Sequence, residues 1–140
     1  MPSIYDQDII DRARNWKQRV YSLYEQIRSW LKNTDFNLEE SEPVNFPGVK
    51  ERVYGLEKPF EIPTADIYKQ GKVIASLKPK GLWAIGSNGR IDLLNRSNPV
   101  ILIDQAVNQD EPYWEIVYGE HRKIRQPLSK NVFLDVLQSL

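Results

Sequence analysis

The sequence predicts an α+β protein. A long N-terminal amphipathic helix packs on a six- to seven-stranded antiparallel meander, a curved sheet or partial barrel, and a short helix closes the C-terminus. Three observations predict this. Residues 6–32 keep a helical apolar spacing with no Gly or Pro among them. Residues 49–126 break into short β-branched and aromatic segments about 10 residues apart, which is too close for helical crossovers and so makes neighbouring strands antiparallel. After Ser129 the apolar spacing turns helical again.

In the first element, Ala13, Trp16, Val20, Leu23, Ile27 and Trp30 step by three and four, and Ile9, Ile10, Tyr24 and Leu31 widen the stripe. That breadth suits a core-facing helix more than a narrow coiled-coil seam. About 27 residues at 1.5 Å each reach about 40 Å, longer than a compact domain is wide. The helix is therefore expected to break, to overhang or to pack against a second copy. Its aromatic residues Trp16, Tyr21, Tyr24 and Trp30 serve either as core or as anchors for a partner, because large aromatics are enriched at interfaces.

Residues 34–48 are acidic and carry Pro43 and Pro47, and they read as a linker from helix to sheet. The strand segments are ERVYGLE, DIYKQ, KVIASLK, LWAIG, RIDLLN, VILIDQA and YWEIVYG. The turns between them fall at Gln70-Gly71, Pro79-Lys80-Gly81, Asn88-Gly89, Ser97-Asn98-Pro99 and Asp110-Glu111-Pro112. Asn88-Gly89 tolerates the two left-handed residues of a type I′ turn. In the third segment Val73, Ala75 and Leu77 share one face, against Lys72, Ile74, Ser76 and Lys78. The continuous run VILI suits a central strand covered on both faces. Ser129 is an N-cap with Pro127 just outside, and residues 127–140 form the last helix. By length the whole chain, 1–140, reads as one domain.

The chain lacks cysteine, which excludes disulfides, thiolate metal sites and thiol nucleophiles and fits a reducing cytoplasm. It has a single histidine, His121. No segment has the length or apolarity of a signal peptide or membrane span, so a cytoplasmic protein is expected. Charge is balanced overall but segregated. Residues 34–66 carry eight acids against three bases, 67–98 six bases against one acid, and 99–118 four acids and no base. Such blocks either form complementary patches for a partner or neutralise one another in the fold.

The stretch KPKGLWAIGSNGRIDLL places Gly81 and Gly86 five apart, as in a phosphate-binding loop, but lacks the Lys-Ser/Thr such a loop requires. Within it, Arg90-Ile-Asp92-Leu-Leu, followed by Val100-Ile-Leu-Ile-Asp104, resembles the core of the PD-(D/E)xK nuclease family. The resemblance implies that Asp92 and Asp104 together bind a divalent cation that orients water. The chain departs from that pattern in three places. Ala106 stands where the family has its catalytic Lys, Asp replaces the commoner Glu, and a turn and strand follow where a helix belongs. Glu115 and Glu120 could pair with these acids for glycoside-type chemistry, and His121 is the one available imidazole base. A basic set, Lys72, Lys78, Lys80 and Arg90 with Trp83, could instead track a nucleic-acid single strand, although the sequence pI of 6.6 is low for that role.

The expectation that joins these readings is a small, non-enzymatic interaction or accessory protein, antitoxin- or immunity-like in a bacterium. It would bind a protein partner through Trp16, Tyr21, Tyr24 and Trp30, or form a homodimer through the same helix. No cofactor, metal or membrane association is expected. A degenerate nuclease and a single-strand binder remain the alternatives.

Overall fold

The computed structural model describes residues 4–46, 60–81, 89–97, 99–106 and 111–140. The chain begins with helix α1 (Ile4–Trp30). Seven strands follow: β1 (Phe36–Phe46), β2 (Phe60–Lys69), β3 (Lys72–Gly81), β4 (Gly89–Leu94), β5 (Val100–Asp104), β6 (Trp114–Tyr118) and β7 (Ile124–Pro127). Helix α2 (Lys130–Gln138) ends it. The strands lie side by side in chain order, each antiparallel to the next, and the sheet is not closed. The α+β meander expected from the sequence is therefore the fold.

One face of the sheet carries the core. From α1 it receives Trp16, Val20, Leu23, Tyr24 and Ile27, from the turn just after it Leu31, and from α2 Phe133, Val136 and Leu137. Each such side chain contributes about 1.5–3 kcal/mol through burial. The strands answer with alternate residues, such as Ile91 and Leu93 of β4 against Leu77 of β3 and Leu102 of β5. On α1 the stripe runs out through Leu31, while Trp30 is only half-buried, its ring 6.0 Å from that of Phe133. Strand β5 is covered on both faces as its apolar run suggests: Ile101 and Val117, directly paired, are buried on the face away from the helices. Ser129 caps α2 by accepting the Val132 N–H at 3.3 Å.

Four local expectations are corrected. The expected linker at 34–48 is largely strand β1. Phe36 and Leu38 point into the core and alternate with Asn37 and Glu39, a period-2 pattern that the acids and Pro43 disguised. Pro43 is tolerated because β1 is an outer strand and the register shifts between Ser41 and Val44. Around that bulge, two hydroxyls satisfy backbone carbonyls: Thr64 donates to Glu42 at 2.7 Å and Tyr24 to Pro63 at 2.8 Å.

Second, β3 does not keep one alternation. A bulge between Ile67 and Tyr68 pairs Ala75 with Ile67 but Val73 with Tyr68, which turns Val73 away from the Ala75–Leu77 face. Third, Gly89 is not a left-handed turn residue. It opens β4 opposite Asp104, and among the described residues the only left-handed glycines are Gly71 and Gly119. The two-residue left-handed hairpin turn is Gln70-Gly71, with φ of 51° and 79°. Fourth, the 49–126 sheet region holds a strand, Ile124–Pro127, beyond YWEIVYG, the last segment named for it, and Pro127 ends that strand instead of opening the last helix. The expected strands ERVYGLE and LWAIG, Asn88 and Trp83 lie outside the described residues.

Candidate functional site

Strand register decides the fate of the two acids that suggested a metal. Asp92 lies opposite Ile101 and Gly89 opposite Asp104. Asp104 is three residues from the partner of Asp92, and an odd offset along a strand places two side chains on opposite faces. Asp104 therefore looks toward the helices and Asp92 away from them. The structure does not bring them together, and no group of three or more metal-binding side chains occurs among the described residues.

Each acid has other work. Asp104 is wholly buried and receives the guanidinium of Arg19 from α1, itself only 6% exposed. The other carboxylate oxygen accepts the backbone N–H groups of Ala106 and Tyr113, both at 3.0 Å. A buried charge persists only when paired and hydrogen-bonded, and Asp104 meets both conditions while tying α1 to the β5–β6 connection. Asp92 accepts from Arg90 Nε at 2.7 Å and lies opposite Lys78. Glu115 pairs with Arg125 at 3.0 Å across β6 and β7. His121 sits in a 3₁₀ turn (Glu120–Arg122), 74% exposed and 3.6 Å from Glu120. The four catalytic candidates thus occupy four separate environments.

The helix aromatics divide similarly. Trp16 and Tyr24 are core residues, which corrects the expectation that they anchor a partner. Trp16 packs 5.7 Å from Trp114, and its indole N–H has no hydrogen-bond partner. Burial, aided by the Glu40 carboxylate and Tyr21, pushes the Tyr24 phenol well above its ordinary value of 10.0. Trp30 is half-buried, and Tyr21, 39% exposed, is the one of the four that α1 presents openly.

The basic set does not form a single track. Lys78 faces Asp92. Lys72 pairs with Lys69, whose ammonium lies 5.5 Å over the ring of core residue Phe36, so the bulge has separated Lys72 from the face of Lys78. Lys80 is exposed near the end of β3, and Arg90 is bound to Asp92.

Sequence reasoning passed over β1. Its residues Glu39, Glu40 and Glu42 are exposed, as are Asp35 before it and Glu61 beside it. Among the described residues none of these five acids makes an ion pair, and β1 is one of the two outer strands of the sheet. The run Leu-Glu-Glu-Ser-Glu was the available signal. Against protein-family models, curated proteins and solved structures alike, the chain finds no match.

Proposed function

We propose that the protein is a non-enzymatic binding module whose acidic strand β1 docks a basic segment of a partner protein. The observation that carries this reading is the imbalance of paired charge. Three acids elsewhere in the sheet are paired: Asp92 with Arg90, Glu115 with Arg125 and Asp104 with Arg19. Among the described residues the acids of β1 have no such partners. A strand at a sheet edge offers N–H and C=O groups to an incoming strand, and side-chain charge selects which strand is accepted. Rows of Glu repel a second copy of the same strand and attract lysines or arginines. An antitoxin- or immunity-like role suits such a surface, because it can cover a cationic patch on another protein.

Calorimetric titration with a synthetic peptide of alternating Lys and Val tests the reading. Binding is expected, weakening as salt rises, and is lost in Glu39→Lys/Glu40→Lys/Glu42→Lys. All three side chains are exposed, so the fold should survive, and unchanged circular dichroism checks this. Equal affinity in the folded triple variant contradicts the proposal.

A further inference from the structure

A second feature lies away from β1. The bulge in β3 turns Val73 outward, leaving it 50% exposed beside Leu94, which is 44% exposed. These two and the half-buried Ile74 and Leu140 line an open groove of about 730 Å³ where β3 begins and β4 ends. Lys72 and Arg96 stand among the lining residues, both exposed and neither in an ion pair among the described residues. An unbroken alternation would have placed Val73 with buried Ala75 and Leu77. The bulge instead spends an apolar side chain at the surface, a common use of bulges, which re-aim side chains at sites.

We infer that this groove docks an acidic segment of a partner protein, held by aliphatic side chains on the Val73–Leu94 floor and by carboxylates at Lys72 and Arg96. The volume lies within the range of ligand sites, roughly 300–1,000 Å³. Charge selects the occupant: two uncompensated cations beside apolar surface match a chain that alternates acids with aliphatics. A nucleic-acid single strand would want aromatic stacking platforms, and no aromatic residue lines the groove.

Amide chemical shifts of the intact chain, titrated with a synthetic peptide of alternating Leu and Glu, test this. Shifts are expected at Val73, Leu94, Arg96 and Leu140. Affinity should fall about tenfold or more in Lys72→Glu/Arg96→Glu, since removing complementary charge weakens an interface, and also in Leu94→Asn. It should persist in Glu39→Lys/Glu40→Lys/Glu42→Lys, so this groove and the β1 strand succeed or fail separately. The proposal is overturned if the peptide causes no shifts there, or if the charge-reversed variant binds equally. It is also overturned if a Leu–Lys peptide, oligothymidylate or phosphatidylglycerol vesicles occupy the groove as well as the acidic peptide does. Concentration-dependent self-association abolished by Leu94→Asn would name a second copy as the occupant instead.

Discussion

Asp104 fixes the helix to the sheet through a single buried carboxylate, and that contact is the most consequential one at the scale of the residue. Removing one partner of a buried pair strands the other charge, at a cost of about 3–5 kcal/mol. Asp104→Ala should therefore lower the urea midpoint strongly, and adding Arg19→Met should return much of the loss. Equal loss in single and double variants would contradict the pairing. Tyr24 offers a second test. The unfolded chain releases the phenol proton near pH 10, whereas the folded chain holds it to higher pH. Above pH 10 the unfolded state therefore binds fewer protons, and stability falls as pH climbs, by up to about 1.4 kcal/mol per pH unit. Below pH 10 both states keep the proton and the group adds no pH dependence. Tyr24→Phe should lose about 1–2 kcal/mol at neutral pH, by leaving the Pro63 carbonyl unpaired, and should show a shallower alkaline decline. Urea unfolding at pH 8 and pH 11 measures both. The sequence revealed the acids themselves but not their neighbours. Twelve positions separate Asp92 from Asp104, and only the register across the intervening turn decides whether such a pair shares a face.

At the scale of the element, the helices and the strands with strong apolar pattern were legible because local periodicity and burial agree. β1 was obscured because its exposed residues are polar, three of them glutamates, and interrupted by Pro43, so a single period of apolar residues, Phe36 and Leu38, had to speak for the strand. β7 has no buried residue at all, so it carries no hydrophobic pattern to read. Gly89 shows a correct residue assigned the wrong reason. Sequence suggested turn chemistry, yet a β-carbon there would fall 2.2 Å from a ring carbon of Trp16. Gly89→Ala should therefore cost about 1–3 kcal/mol through overpacking, and Trp16→Leu in the same chain should reduce that cost. Gly71, with open space around it and a φ of 79°, should lose only about 1 kcal/mol on substitution by Ala, from backbone strain. Thermal unfolding of both variants separates the two causes. Equal losses, insensitive to Trp16→Leu, would contradict the packing account.

Across the whole molecule, the meander converts charge blocks along the chain into stripes across the sheet. Because consecutive strands are neighbours, the basic stripe of β3 and β4 lies between strands that carry acids; among the described residues its own ion pair, Arg90 with Asp92, is internal to β4, and charge is paired between neighbouring strands at Glu115 of β6 and Arg125 of β7. What the sequence could not show is which charges find a partner. Among the described residues the acids of the outer strand β1 make no ion pair, and the β3 bulge leaves Lys72 with Arg96 beside exposed apolar side chains. Among the described residues no helix is long and apolar enough to cross a membrane. The exchange rates of the β1 backbone amides test the proposed docking on β1 most directly. With the basic Lys–Val peptide bound, the amides of Phe36–Phe46 that face away from β2 should slow, while those of Ile124–Pro127 stay unchanged. Protection at β7 or on α1, or none on β1 at saturating peptide, would contradict it.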